Sequence, residues 1–462
     1  MSKVADRSSV VSGMVSDAAV GKALMGGTKA MRKAGQEYLP KFAQEEKEAY
    51  DARLKSSWLF NGFRKTVRDM TGRVFDSPVE MGQGAPNQLV DWATNIDLQG
   101  RDLSEFAREV FMEGMKGSGI SYVMVDAPAR RGDESVQEAE TQNLRPYFVH
   151  LKLESVLGWK TRVEANVTKL AQIRIMESVS EPNPDDEFDE MHIDQVRVLD
   201  YNDERKAVDV RIYRKDSKKE NWVLHDEYPT DLSEITVVPF YANRTGFFTG
   251  EPVLDDLADV NVAHWQSQSD QRNILHVARV PILFGKGFGE GEDLTIGSSK
   301  AVMAQDPEAE LEWVEHTGAA IGAGRQDLKD LEFQMETHGL QLLVQKGNQS
   351  ATGEAIDAKK ETSQLAMMAD ALKDCLEQAF AFMADLGGIQ SDSIEVNVNK
   401  EFGVSMLTAQ ELTAMLGAVN TGNLSRETFL SELKRRGFVR DDLDVDAEIE
   451  AIEADGGDLG AE

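Results

Sequence analysis

Residues 251–280 read EPVLDDLADVNVAHWQSQSDQRNILHVARV, and the fold turns on how this run is understood. Pro252 sits where a helix can begin, because a first-turn residue needs no N–H partner. Leu254, Leu257, Ala258, Val262 and Trp265 follow at helical spacing. From Gln266 to Asn273 the run QSQSDQRN has no apolar residue, yet nothing in it breaks a helix. Ile274, Leu275, Val277 and Ala278 resume the apolar pattern before Pro281 stops it. A helix polar on every side either bridges solvent or leans on polar neighbours. Two readings stand open from this run: an ordinary surface helix, or a helix packed among copies of itself in a ring of subunits.

The chain has 462 residues, 41% of them hydrophobic and 28% charged, which describes a soluble folded protein. That length accommodates roughly two to four sub-structures. No apolar run approaches a membrane span, and the N-terminal stretch MSKVADRSSVVSGMVSDAAVGKAL lacks the apolar centre of a signal peptide. Cys375 is the only cysteine, which excludes intramolecular disulfides and cysteine-based zinc sites and points to a reducing cytosolic origin. The formal net charge of −31 is unevenly spread. Residues 1–75 hold 14 basic and 8 acidic side chains, a net +6, whereas residues 438–462 hold 1 and 10, a net −9. Such an acidic surface argues against tight nucleic-acid binding, since that affinity comes from Lys and Arg neutralising phosphates. It is compatible with a surface past which DNA slides without sticking.

Along the chain, residues 1–36 are rich in Gly, Ala, Ser and Met and read as a weakly ordered arm. Helices are predicted over 44–60, 61–75 and 102–116 from apolar residues three and four apart. The period then changes to two, predicting strands at 120–126, 146–151, 170–177, 195–201, 207–213, 221–227 and 235–240, with a hairpin loop at 202–206. Residues 177–191 hold seven carboxylates, no base and two prolines, and read as a solvated loop. After the long helix come a mostly β segment (279–318), a helical stretch (319–345) and the loop KGNQSATG (346–353). A long helix over 354–386 follows, with Leu365, Met368, Ala369, Leu372, Leu376, Ala379, Phe380, Met383 and Leu386 on one stripe and Gly387-Gly388 as its cap. A strand at 394–399 and a small helical tail complete the chain. The fold class expected is α+β.

Catalytic motifs are largely missing. There is no GxxxxGK[ST], hence no phosphate-binding loop or built-in NTPase motor. The glycines of 285–291 have the wrong spacing for a dinucleotide fingerprint and read as a flexible turn. Ser118 and Ser121 lack the flanking glycines of a serine elbow. The seven histidines form no close pair, so no zinc site is expected. Asp442, Asp444, Asp446 and Glu453 mimic a calcium loop, but Ala447 stands where its glycine is required, and acids opening a helix explain them more plainly. A hydrolase built from scattered carboxylates is the enzyme alternative, although no spacing singles out a pair. No enzymatic activity, cofactor or metal is expected.

The order of helical block, β block, long helix, small β segment, loop and longer helix resembles the portal (connector) proteins of tailed bacteriophages. The likeness covers most of residues 37–436. It is carried by 38–75 (YLPKFAQEEKEAYDARLKSSWLFNGFRKTVRDMTGRVF), 119–128 (GISYVMVDAP), 145–160 (RPYFVHLKLESVLGWK), 238–276 (VPFYANRTGFFTGEPVLDDLADVNVAHWQSQSDQRNILH), 314–324 (VEHTGAAIGAG) and 361–388 (ETSQLAMMADALKDCLEQAFAFMADLGG).

The resemblance implies a portal-like α+β fold. Residues 1–36 would be a flexible arm and 37–250 the wing, helical to 118 and β-rich from 119. Residues 251–278 would be the first stem helix, 279–318 a small α/β clip and 319–345 the second stem helix. The tunnel loop would be 346–353, the wing-spanning helix and strand 354–405, and a short helical crown and tail 406–462. It further implies a dodecameric ring at a capsid vertex of the virion, assembled in the host cytoplasm. Through that ring double-stranded DNA would enter during packaging and leave during ejection. Terminase large subunit, major capsid protein and a head–tail adaptor or neck protein would be its partners, with no membrane involved. On this likeness Lys346, Asn348, Gln349, Ser350 and Thr352, then Lys359 and Lys360, would face DNA through weak, non-specific phosphate contacts. Leu254, Leu257, Val262, Trp265, Gln268, Arg272 and Leu275 would pack between subunits in the stem. Another oligomeric virion protein, such as a head–tail adaptor, is the alternative.

Overall fold

The computed structural model describes residues 3–128, 143–184, 186–215, 221–278, 282–286, 308–314, 319–340, 351–390, 394–400, 409–435, 439 and 443–456. Two compact units are present, one formed by 1–351 with 367–399 and the other by 352–366 with 400–462. Helices and antiparallel strands occupy separate stretches of the chain, an α+β fold.

The first unit opens with helices α1 (Ser9–Asp17) and α2 (Ala19–Ala34). They replace the flexible arm expected over 1–36. Ser8 caps α1 by accepting from the Val11 N–H, and Val11 and Met14 enter the main apolar cluster, while Leu24 and Met31 of α2 are also buried. The small residues that suggested disorder serve close packing. A Cβ on Gly21 would lie 2.2 Å from the Lys116 carbonyl oxygen.

Helices α3 (Lys47–Ser56), α4 (Gly62–Val74), α5 (Asn87–Ala93) and α6 (Leu103–Glu113) follow, with strand β1 (Glu80–Met81) between α4 and α5. Asp102 caps α6 through the Glu105 N–H, and a π-turn (Gly114–Ser118) leads into the sheets.

Strands β2 (Ile120–Asp126), β3 (Tyr147–Leu151) and β9 (Val237–Tyr241) form one sheet in the order β3-β2-β9. A second sheet is an open meander of β4 (Val156–Glu164), β5 (Val167–Pro182), β6 (Glu190–Asn202), β7 (Ala207–Lys215) and β8 (Trp222–Pro229), paired in that order. Here the sequence expectation needs two corrections. Residues 177–191 are not a loop throughout, because β5 continues to Pro182 and β6 starts at Glu190, pairing Pro182 with Glu190. Strand β4 was not expected at all.

The core lies between these sheets. Ile120, Tyr122 and Met124 on one face of β2 join Ile173, Ile175, Leu199, Val208 and Val210 of the meander. The opposite face of the three-stranded sheet carries Phe148 and Phe240, which meet Phe106 and Phe111 of α6. Strand β2 is thus covered on both sides, which is why 120–125 reads as an almost unbroken apolar run. On the outer face of the meander, Leu157, Val196 and Val198 pack with Val4 and Ala5. Arg174 Nη1 donates to the carbonyls of Lys3, Val4 and Asp6 there.

Short strands β10 (Arg244–Gly246) and β11 (Thr249–Gly250) pair before the long helix α7 (Asp255–Ala278). Pro252 precedes this helix by three residues and is not in its first turn. Strands β12 (Ile282–Lys286) and β13 (Glu310–Val314) form an antiparallel pair. Helix α8 (Ala319–Met335) ends in a π-turn (Glu336–Leu340); residues 341–345, expected to be helical, lie outside the described residues.

Helix α9 (Ala351–Gly387) begins three residues before its expected start. From Met368 to Met383 its stripe is buried, and Phe380 packs against Phe148 with the rings tilted by 59°. The predicted glycine cap is present: Gly388 has φ +66°, and the Ile389 N–H bonds back to the Ala384 carbonyl. Strand β14 (Val396–Asn397), shorter than the 394–399 expected, pairs with β1. The second unit holds α10 (Ala409–Asn420), α11 (Arg426–Arg435) and α12 (Val445–Gly456). In it Asp444 accepts from the Asp446 and Ala447 N–H groups at the start of α12, the helix-opening role expected of these acids.

Candidate functional site: the polar seam of the long helix

Helix α7 is the element on which the functional reading rests, and most of the polar side chains of its middle find partners within the chain. Asn261 donates to the Phe60 carbonyl (2.7 Å) and accepts from the Phe63 N–H (3.0 Å), holding the first turn of α4. Gln266 donates to the Tyr38 carbonyl (3.0 Å) and Gln271 to the Ile321 carbonyl (2.9 Å). Gln268, with its amide turned to satisfy both partners, donates to the Trp58 carbonyl (2.5 Å) and accepts from its indole Nε1 (2.6 Å). The hydroxyl of Ser57 donates to Ser269 Oγ at 2.8 Å. Of the two options open to a helix polar all round, α7 takes polar neighbours.

Arg53 organises this seam from α3. Its Nε and Nη2 donate to the two oxygens of Glu45 at 2.8 Å each, and Nη2 also reaches the Pro40 carbonyl at 2.8 Å. Nη1 reaches Ser269 Oγ at 3.4 Å and lies 3.5 Å from Asp270 Oδ1. The guanidinium sits 4.0 Å over the Phe42 ring. A bidentate pair satisfied on this many sides keeps both charges in the interior. The hydrogen bonds from Arg53 hold the Glu45 carboxyl below the usual carboxylate range. Asp270 is pushed upward, chiefly by burial.

Helices α7 and α8 run antiparallel. Gln271 lies opposite Ile321 and Gly324, Ser267 donates to Asp327, and His264 Nε2 lies 3.5 Å from Glu332 Oε1. His264 is buried against the Phe60 ring, and burial lowers its pKa while Glu332 opposes the shift. Trp265 Nε1 and Gln271 Oε1 are buried without a hydrogen-bond partner among the described residues.

This geometry revises the stem assignments. Leu254, Leu257, Trp265 and Gln268 are buried inside one chain, Trp265 with 0% exposure, so they are not free to pack between subunits as expected. Val262 and Leu275 are half-buried, and Arg272 is exposed. Lys346, Asn348, Gln349 and Ser350 lie outside the described residues. Thr352, Lys359 and Lys360 belong to α9. The residues that sequence reading missed are Arg53 and Glu45, which pair across eight residues without a helical spacing to mark them, and Asn261 and His264, whose partners lie far away in the chain.

Elsewhere, Ser121 Oγ lies 2.8 Å from His150 Nε2, a nucleophile–base spacing. The pair sits in the core: Ser121 is fully buried and Phe106 packs on the imidazole. Burial pushes His150 down to about 3, and Lys152, Arg101 and Lys116 add to the shift. Cys375 is buried and its thiol is pushed upward by desolvation. No group of three or more His, Cys, Asp and Glu side chains able to hold a metal ion occurs among the described residues. No helix among them is long and apolar enough to cross a membrane.

Comparison with known proteins gives one sequence-family match. Residues 253–386, from just before α7 into the last turn of α9, match a domain of unknown function (DUF4055). No curated protein matches the chain. Among solved structures, a component of the neck of an empty GTA particle, computed with C6 symmetry, aligns over 81% of this chain and 90% of its own at 8% identity and a TM-score of 0.41. The neck of a native GTA particle computed with C12 symmetry gives 81% and 89% coverage, 9% identity and a TM-score of 0.38. A chain from the virion of a native gene transfer agent particle gives the same coverage and TM-score at 10% identity. Likenesses at this level transfer neither a fold nor a role.

Proposed function

We propose that this chain is a structural subunit of a tailed-phage-type head–tail assembly, and that within it the chain is the portal. The observation that carries the reading is the α7–β12–β13–α8 arrangement: two antiparallel helices joined through a small β pair, with a polar interhelical face bridged by Gln271 to the Ile321 carbonyl and Ser267 to Asp327. Paired helices of this kind suit the wall of a channel, with the β pair as a docking tip. The residue stretches quoted above from 38–75 to 361–388 support the same reading, and so does the lack of a phosphate-binding loop. A conduit needs no motor of its own, because a separate terminase supplies ATP hydrolysis. The net charge of −31 keeps DNA phosphates from settling on the wall.

In this reading twelve copies form a ring at the capsid vertex. Double-stranded DNA passes through it, terminase and later a neck protein dock on the tip, and the major capsid protein surrounds the wing. Lys346, Asn348, Gln349, Ser350 and Thr352, then Lys359 and Lys360, are the candidates for weak, non-specific contacts with DNA phosphates. Negative-stain imaging and light scattering of the purified full-length protein test the reading. Rings with a central hole are expected, without ATPase or nuclease activity; solid single particles at every concentration would overturn it. Deletion of 347–352 is expected to leave rings intact and to reduce DNA packaging or retention, and an unchanged yield of full, infectious heads would remove the DNA-facing role.

A further inference from the structure

The five-stranded meander has two open edges, and they differ in a complementary way. Strand β8 forms one edge, and its residues 223–227 are exposed in succession, with Val223 at 46% and Leu224 at 49%. Apolar side chains on an unpaired edge are a template for another strand. No backbone hydrogen bond reaches β8 from outside the sheet among the described residues. Strand β4 forms the opposite edge. The N-terminal segment covers its start, where the Ser8 N–H bonds to the Leu157 carbonyl. Beyond that point Lys160, Thr161, Val163 and Glu164 are exposed, Val163 at 72%, and Val167 across the turn at 56%.

Charge distinguishes the two edges. Residues 159–169 of the β4–β5 corner carry Lys160, Arg162 and Lys169 against Glu164 alone, and Glu164 is occupied by Arg162 and Lys169. Residues 222–229 of β8 carry Asp226 and Glu227 and no Lys or Arg. Among the described residues neither Asp226 nor Glu227 forms an ion pair, and neither does Lys160. Like edges would bring like charges together and lose stability. Unlike edges match in both charge and exposed valine.

We propose that β8 of one copy docks along β4 of the next, so that the wing sheets join head to tail around the assembly. The partner is a second copy of this chain, and the proposal rests on the ring reading above. Two different edges meeting is a heterologous contact, the kind that closes into a ring when the rotation between copies permits. In a five-stranded antiparallel meander the first and fifth strands point the same way, so copies related by a ring's rotation meet nearly parallel.

The test uses full-length chains carrying Val163→Cys or Leu224→Cys and a short bis-maleimide reagent. Cys375 is buried, so the wild type supplies the unreactive control. Mixing the two variants is expected to give covalent dimers, each variant alone none, and the double variant a ladder of oligomers. Asp226→Lys with Glu227→Lys is expected to weaken assembly roughly tenfold, and added Lys160→Glu to restore it. Rings in the micrographs without a mixed cross-link would overturn the edge contact and leave the portal reading standing. Dimers from Leu224→Cys alone would overturn it in favour of symmetric β8–β8 pairing. Single particles throughout would overturn the ring reading and this contact together.

Discussion

Replacing Trp265 by alanine removes the bulkiest side chain among the fully buried ones and leaves a void facing α7's neighbours. A loss of about 3–5 kcal/mol in the unfolding free energy is expected, read by denaturant titration of the subunit. Arg272→Ala, on the exposed face, is expected to stay within about 0.5 kcal/mol of wild type. Spacing placed both residues correctly on one helix. It could not tell which partner covers each, because a hydrophobic period records that a side is apolar and not whose side chains bury it. His150 adds a pH dependence whose sign is fixed. Its folded pKa is lowered to about 3, so the unfolded chain takes up a proton near 6.5 that the native state refuses. Stability from this residue is fully present above about pH 6.5 and declines as pH falls towards about 3, by up to roughly 1.4 kcal/mol per unit. Comparing wild type with His150→Gln between pH 7 and 5 should show a flatter profile in the variant.

Among the elements, those with a strong apolar signature were readable and those held by backbone pairing were not. The stripe of α9 and the two-faced run of β2 were legible because burial dictated every residue. Strand β4 was missed because Lys160, Thr161 and Glu164 are exposed and break the alternation. The outer arms of β5 and β6 read as loop in the sequence because carboxylates and prolines crowd them, while pairing from Ser178 to Pro182 supplies the order. Two substitutions test how elements are joined. Gly119, at φ +65°, leads into β2, and a Cβ there would lie 1.8 Å from the Glu251 carbonyl oxygen just ahead of α7. Gly119→Ala is therefore expected to cost at least about 2 kcal/mol, seen as a lower Tm. Arg53→Ala strips a buried Glu45 of its partner and should cost about 3–5 kcal/mol, with a smaller loss in the double variant Arg53→Ala/Glu45→Ala.

For the molecule as a whole, composition anticipated a folded chain, and the order of elements anticipated the α+β fold. The polar stretch Gln266–Asn273 yielded to sequence reading only halfway. That the helix needed polar neighbours was evident; that Tyr38, Ser57, Trp58 and Ile321 of the same chain supply them was not, since they lie 50 to 228 residues away. Salt screens both the repulsion among subunits of net charge −31 and the attraction between the β4 and β8 edges, so rings of Asp226→Lys/Glu227→Lys, which lack that attraction, should strengthen with added salt more than the wild type does. Light scattering across a salt series checks this.

The tie between residues 3–8 and the meander bears on how the protein is made. Arg174 clasps the carbonyls of Lys3, Val4 and Asp6, so this stretch must wait for a strand synthesised some 170 residues later. Closing a loop of that span is slow, and the early helices stay unsheltered meanwhile. Bulk placed directly ahead of Lys3 would crowd this late seam.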